Sequence, residues 1–330
     1  MNPVRSLSVR NRDMQKRYQS NGQAGIKHKQ KESANTFFLP KTSNGVRPPI
    51  CHVCGGSDSD FFTEKNGCML YKCQGCGLMF VDPLPVSTEE LYSQDYFSGA
   101  VAGFGYVNYD EDKEPMVPAF LKYLGLISSE LGGSKGRLLD VGAATGFFVR
   151  LAKTAGFDAL GIEISDHAAA LGRGKGLPIQ TGTLADVEGS FDCITMLDLI
   201  EHVPNPRAEI TCAAARLRKH GVLVINTPDS GSMFARMMGK RWHLICPPEH
   251  LYYFNRHNIK QLLEEAGFTV VLETTIGKSF TVKYIFKTLH RWTSLAPFGR
   301  LADLFGRKSL SHVSVPVNLR DNMFVLARRR

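Results

Sequence analysis

The sequence predicts an α/β fold, a doubly wound and mostly parallel sheet with a small cysteine-bearing module ahead of it. Three observations predict it. Apolar strands alternate with amphipathic helices through residues 138–272, a strand–loop–helix unit rich in small residues opens that alternation, and two Cys-x2-Cys pairs lie close together upstream.

The opening unit is Leu138-Leu139-Asp140-Val141-Gly142-Ala143-Ala144-Thr145-Gly146-Phe147-Phe148. An apolar strand runs into the small-residue loop, and a helix is expected from Phe147. Small residues let a ligand approach the backbone closely, and helix-start N–H groups can hold an anionic group. A second apolar strand, Ala159-Leu160-Gly161-Ile162-Glu163-Ile164, closes on Glu163 some 20 residues after Asp140. That is the offset of the acid that takes ribose hydroxyls in a nucleotide-binding βαβ unit. Phe191 to Asp198 reads as a buried strand, Arg207 to Lys219 as a helix and Gly221 to Thr227 as a strand. Arg256 to Gly267 places Ile259, Leu262 and Leu263 on one helical face, and the strand Phe268 to Leu272 follows directly.

The glycines of the first loop are spaced Gly142-x-x-x-Gly146, not as in a dinucleotide fingerprint, and Asp140 precedes them. In this arrangement the loop resembles motif I of the class I S-adenosylmethionine (SAM) methyltransferases, with Ala144 where the family usually has its middle glycine. Asp198-x-x-Glu201-His202-Val203-Pro204-x-Pro206 and Asn226-Thr227-Pro228-Asp229 resemble members that methylate small molecules, among them ubiquinone-pathway O-methyltransferases and sugar methyltransferases. The resemblance covers roughly residues 100 to 275 plus a final strand near Asn322 to Ala327. It implies a Rossmann-like fold and SAM as cofactor. Asp140, Gly142, Ala143 and Gly146 would then serve the methionine end, Glu163 the ribose, Ile164 the adenine face and Leu184 the adenine edge. Asp198 would stand beside the methyl donor.

Cys51-His52-Val53-Cys54 and Cys73-Gln74-Gly75-Cys76 are separated by 18 residues. Four thiolates so spaced can close a tetrahedron around one zinc ion, and with every position filled such a site is structural. Cys68 is the odd thiol. The intervening Phe61-Phe62 and Met69-Leu70-Tyr71 suit a short hairpin, and the whole reads as a zinc ribbon. A ribbon ahead of this methyltransferase pattern resembles the deoxysugar C-methyltransferases, whose N-terminal module lies over the substrate cleft. Tyr92, Tyr96 and Phe97 would then wall that cleft or pack the module onto the sheet.

The chain divides by composition into a polar basic arm (1–47) without periodicity, the ribbon (48–82), a linker or helical cover (83–130), the SAM-binding core (131–277), an amphipathic helical insert (278–316) and a final strand with a basic tail (317–330). The 330 residues carry a net +9, unevenly: residues 1–50 hold +8 and residues 278–330 hold +9, which leaves the middle acidic at −8. No stretch approaches the ~20 apolar residues of a transmembrane helix, and no signal-peptide core stands near the start. A cytoplasmic protein, peripheral to a membrane at most, is expected. In the insert, Val282, Ile285, Phe286, Leu289 and Trp292 share a helical face while Lys283, Lys287, His290 and Arg291 lie off it. Such a helix serves as a lid, a dimer partner or an anionic membrane contact over 280–310, the last suiting a lipid-linked or anionic acceptor.

Methyl transfer to oxygen or carbon requires a proton acceptor. His250, in Cys246-Pro247-Pro248-Glu249-His250-Leu251-Tyr252-Tyr253-Phe254, and His202 are the candidates, with Glu201 beside them. Asp198, Glu201 and His202 also form a set resembling the Glu-x-x-Glu-His of ubiquinone-type enzymes, which can hold a divalent ion. The expected reaction is direct SN2 methylation of a small molecule, glycan or nucleotide-sugar intermediate. RNA methylation is the rival reading, because ribbons and basic arms occur in some ribosomal RNA methyltransferases. Leu197-Asp198-Leu199-Ile200 lacks the Asn/Asp-Pro-Pro-aromatic run of amino-group methylation and the Pro-Cys of cytosine C5 chemistry. A SAM-fold protein that only binds a partner is the third reading, against which Asp140 and Glu163 stand.

Overall fold

The computed structural model describes residues 49–85, 109–293, 295–306 and 313–330. The basic arm and Tyr92, Tyr96 and Phe97 lie outside them. Two sheets organise the site. The first is built from β1 (Ser59–Lys65), β2 (Cys68–Cys73) and β3 (Met79–Val81), each antiparallel to the next. The second holds seven strands: β4 (Arg137–Val141), β5 (Asp158–Glu163), β6 (Ile179–Thr181), β7 (Phe191–Leu197), β8 (Leu217–Pro228), then, after β9 (Tyr252–Tyr253), β10 (Phe268–Thr274) and, further along the chain, β13 (Asn322–Arg329). Its order is β10-β13-β8-β7-β4-β5-β6. Pairing is parallel from β6 through β8, and only β13 is reversed, antiparallel to both its neighbours.

The chain winds outward from β4 through β5 to β6, then returns to place β7 on the other flank of β4. The crevice at the carboxyl ends of β4 and β7 is therefore the switch point, where open α/β sheets bind ligands. Period-two alternation along the strands splits the core into two layers. Leu139, Val141, Ile194, Met196, Leu223 and Ile225 face one way, toward Ile259, Leu262 and Leu263 of α7 (Arg256–Glu265), which α4 (Asp166–Gly174) and α6 (Met233–Met238) precede in the chain, and toward Phe80 and Tyr252 of the cysteine module. Leu138, Ala159, Cys193, Val222 and Val224 face the other, toward α2 (Val117–Glu130) and α3 (Phe147–Thr154). Helix α2 thus packs directly on the sheet: Tyr123 stacks on Phe324 with ring centroids 4.6 Å apart.

The helix expected from Arg207 to Lys219 is α5 (Pro206–Arg216), capped by the Asn205 side chain accepting from the Ala208 amide at 3.0 Å. It stops early because Leu217 turns into the core and pairs with Phe191, beginning β8 four residues before the expected Gly221. In the insert, β11 (Lys278–Thr281) pairs with β12 (Ser314–Val317), and α8 (Val282–Thr293) and α9 (Ala296–Phe305) follow β11. Among the described residues no helix is long and apolar enough to cross a membrane.

Candidate active site

The loop between β4 and α3 folds as its small residues require. Gly142, Ala144 and Gly146 all take positive φ (73°, 47° and 81°), so Ala144 adopts at some cost the conformation its glycine neighbours reach freely. Glu163, at the end of β5, fixes this loop: its carboxylate accepts from the Ala144 amide at 2.7 Å and the Ser165 amide at 2.9 Å. Two backbone donors occupy only part of a carboxylate's acceptor capacity, which leaves lone pairs for further hydroxyl groups. Burial raises the Glu163 pKa against the pull of those amides. Asp140 is buried on β4 and accepts from the Thr195 hydroxyl at 2.6 Å. Burial, the nearby Glu163 charge adding to it, lifts its pKa to about 7 against that hydrogen bond.

A cavity of about 840 Å³ starts at this loop and runs past the end of β7. Gly142, Glu163, Ile164, Leu184, Asp198, Glu201, His202 and His250 all line it. Asp140, Gly142, Ala143 and Asp198 border a small recess beside it, with Tyr109 and Lys113 of α1 (Tyr109–Lys113). Gly146 does not line either space. It turns the chain into α3, where an added Cβ would come within 2.7 Å of Leu177 Cδ1.

Asp198 has positive φ (55°), and its carboxylate is gripped by Lys278 Nζ at 3.0 and 2.9 Å and by the Asn226 amide. Tyr123 in turn donates to Asn226 Oδ1 at 3.2 Å. Burial opposes the anion, yet Lys278 and Lys113 hold its pKa at about 2. Asp198, expected beside Glu201 and His202 in a cation-binding set, instead has an ammonium group on both its oxygens. Lys278 and Lys113 line the cavity without belonging to any motif, and Lys278 reaches Asp198 from β11, 80 residues along the chain.

Glu201, His202 and His250 do come together. The Glu201 carbonyl accepts from the Leu251 and Tyr252 amides at 2.8 and 3.2 Å, which ties the loop after β7 to the segment carrying His250. His202 Nδ1 lies 2.7 Å from the Glu249 carbonyl oxygen, and His250 Nδ1 lies 2.9 Å from that of Leu244. A carbonyl only accepts, so both Nδ1 atoms carry the proton and both Nε2 atoms keep a lone pair. Burial lowers the pKa of both rings, that of His250 to about 3 with His202 adding to the effect. Burial, and then Asp198, raise Glu201 to about 8, and the Thr227 hydroxyl donates to it at 2.8 Å. One ligand atom from each of Glu201, His202 and His250 lies within 4.8 Å of the others, a spacing a divalent ion could also use.

The cysteine module folds as expected. Cys51, Cys54, Cys73 and Cys76 bring their Sγ atoms within 4.8 Å of one another, with Cys51–Cys76 and Cys54–Cys73 at 3.5 Å and no disulfide. Four thiolates at a Zn–S distance of about 2.3 Å stand ~3.8 Å apart, so this donor set fits zinc. Cys68 points elsewhere, 3.9 Å from the Asn66 carbonyl oxygen. The aromatic run after His250 joins the module: Tyr252–Tyr253 forms β9, which pairs with β3 and extends the ribbon sheet. Part of the apolar stripe of α8 has contacts within the chain. Ile285 and Leu289 line the cavity, and Phe286 stacks against Phe298 and Phe305 at 6.3 and 5.7 Å.

Residues 109–273, half of the chain, match the methyltransferase domain family. The ubiquinone biosynthesis O-methyltransferase of Dechloromonas aromatica (strain RCB) is 28% identical over 183 residues, which cover 46% of this chain and 78% of that protein. Its counterpart in Methylococcus capsulatus is 33% identical over 120 residues, 33% of this chain, and here the chain spans about half (49%) of the relative's length. Magnesium protoporphyrin IX methyltransferase from Synechocystis PCC 6803, solved with bound S-adenosylhomocysteine (SAH), aligns over 72% of this chain and 98% of its own at a TM-score of 0.46 and 15% identity. With the motif loop, the acid at the end of β5 and the seven-stranded sheet in place, the chain belongs to the methyltransferase domain family and is a class I SAM-dependent methyltransferase.

Proposed function

We propose that this enzyme methylates a small molecule, such as a glycan or nucleotide-sugar intermediate, by direct SN2 transfer with a histidine base. One observation carries the reading: a single cavity is lined both by Gly142 and Glu163 and by His202 and His250, whose Nδ1 atoms each face a backbone carbonyl. SAM supplies an electrophilic methyl group on a sulfonium. Glu163 takes the ribose hydroxyls, Ile164 and Leu184 bound the adenine, and Asp140, Gly142 and Ala143 bound the methionine end. Gly146 sets the turn that lets the loop approach. Asp198, anionic and held by Lys278, places negative charge beside the cationic donor.

His250 receives the acceptor's proton at Nε2, and its Nδ1–H bond to the Leu244 carbonyl fixes the tautomer that makes this possible. His202 packs edge to face on that ring and shares the role of orienting the acceptor, with Glu201 behind it. The apolar wall from Phe280, Ile285 and Leu289 suits an acceptor that is partly apolar, as a lipid-linked saccharide is. We further propose that Cys51, Cys54, Cys73 and Cys76 hold a structural zinc ion.

The test is a screen with a tritiated methyl donor against three pools: nucleotide-sugars, quinone precursors and RNA. Label in the nucleotide-sugar pool, abolished by His250→Gln, supports the reading. Label in the quinone pool moves the acceptor class toward that of the relatives, and label confined to RNA overturns the small-molecule assignment.

A further inference from the structure

Residues 243–250 form neither helix nor strand, so no regular hydrogen-bond ladder holds the chain that delivers His250. Two of its carbonyl oxygens are instead held from the tip of the β1–β2 hairpin. Lys65 Nζ donates to the Ile245 carbonyl at 2.5 Å, and the Asn66 side-chain amide donates to the Pro247 carbonyl at 2.7 Å. The tip is shaped for this: Asn66 and Gly67 both take positive φ (51° and 77°), the conformation of a tight two-residue hairpin turn. Ile245 and Pro247 flank Cys246, whose carbonyl accepts from the His250 amide at 3.3 Å, and the Leu244 carbonyl next to them fixes the His250 ring.

The knuckle end of the same ribbon reaches the other histidine's loop. Tyr252 OH donates to the Pro204 carbonyl at 2.8 Å and lies 3.1 Å from His52 Nδ1, while the Arg207 guanidinium donates to the Val53 carbonyl. Val81 donates to the Leu251 carbonyl at 2.9 Å, between the two ends. The ribbon thus spans the loops of both histidines, the knuckles on one and the hairpin tip on the other.

We propose that the ribbon is a brace for the active site, with Lys65 and Asn66 as positioning residues that set the orientation and tautomer of His250. This deepens the reading in which His250 is the base, and its test does not depend on that reading or on the acceptor. Asn66→Gly keeps the turn's positive φ and removes the amide; Lys65→Met keeps the stem and removes the ammonium. In the Lys65→Met/Asn66→Gly double variant, long-range ¹H–¹⁵N imidazole spectra at pH 7 should show the His250 nitrogens moving from one fixed Nδ1–H tautomer toward averaged values. SAH affinity should stay within about twofold and the metal content of the ribbon should be unchanged, and Lys65→Arg should keep the wild-type spectrum. A wild-type His250 spectrum in the double variant overturns the proposal, as does a change accompanied by loss of SAH binding. Failure of the base reading looks different: His250→Gln would transfer label at the wild-type rate whatever the spectra show.

Discussion

His202 and His250 stand edge to face, ring centroids 4.7 Å apart and ring planes at 78°. Each donates Nδ1–H to a carbonyl of the segment that carries His250, so one stretch of backbone sets the tautomer of both rings. Two neutral imidazoles side by side in a buried site resist protonation, since a charge on either would face burial and its neighbour.

A proton acceptor of this kind predicts a specific kinetic loss. General-base catalysis contributes about 10²–10⁴-fold, and a base whose pKa of about 3 lies well below the working pH falls at the low end, so His250→Gln should lower the rate of labelled methyl transfer by about 100-fold. Affinity for SAH, measured by calorimetry, should change little, because the proposed cofactor contacts belong to Glu163 and the loop after β4 and not to His250. A parallel loss of affinity and rate would make His250 a binding residue.

The same ring predicts a stability effect with a definite sign. Its pKa falls from 6.5 unfolded to about 3 folded, so between those values the unfolded chain binds a proton that the native chain refuses. The contribution of the neutral ring is fully present above pH 6.5 and is lost as pH falls toward 3. Urea unfolding of the wild type should weaken from pH 7 to pH 5 more than that of His250→Gln. Equal losses in the two proteins would assign the acid sensitivity to other groups.

Asp198 and Lys278 predict a coupled pair. The Asp198 side chain is 31% exposed and that of Lys278 is 10% exposed, so cavity water softens the loss of either charge. Lys278→Met should cost about 2 kcal/mol, in the range of hydrogen bonds to charged groups. Asp198→Asn together with Lys278→Met should cost clearly less than the two single changes added, the mark of a direct interaction. The pair's pH dependence follows from the Asp198 pKa of about 2 against 3.8: its stabilisation is complete above pH 3.8 and fades as pH falls through 2. Additive losses in a urea-midpoint cycle would remove the coupling.

Much of this architecture was legible in the sequence because it rests on local signals. The β4 loop announces itself by glycine spacing, Glu163 by its offset from Asp140, and the four cysteines by their paired spacing. Each reports a short-range geometric need: a positive φ, a helix start, a tetrahedron. Lys113, Lys278, Lys65 and Asn66 carry no such signal. A lysine at the end of an acidic helix or in a hairpin reads as solvated, and only the fold brings Lys278 to Asp198 or Lys65 to Ile245. The Asp198–Lys278 pair is illegible for the same reason: the sequence sets Asp198, Glu201 and His202 close together, and only the fold adds Lys278 to the aspartate. Tyr252 and Tyr253 were readable as buried aromatics, but that they form the ribbon's fourth strand depends on a pairing with Met79 and Phe80 that no local pattern encodes.

Gly161 predicts how little space the cofactor loop has to spare. It sits in β5 with ordinary backbone geometry, so its need is spatial: a Cβ there would lie 2.6 Å from both Ala143 Cβ and Ile179 Cδ1 and 3.1 Å from Val149 Cγ2. Ile179 can rotate away, but Ala143 Cβ is rigid and belongs to the motif loop, whose amide accepts no displacement without releasing its bond to the Ile162 carbonyl at 3.1 Å. Gly161→Val should therefore act twice. Overpacking should cost about 1–3 kcal/mol in urea unfolding, and the displaced loop should weaken SAH binding by an order of magnitude or more, whereas a substitution that only destabilises leaves the affinity of the folded fraction intact. Restoring space with the Ile179→Ala partner change should recover part of the stability and little of the affinity, because it relieves the flexible neighbour and not Ala143. Full recovery of both would show that the side chain of Ile179, and not the motif loop, sets the limit at Gly161.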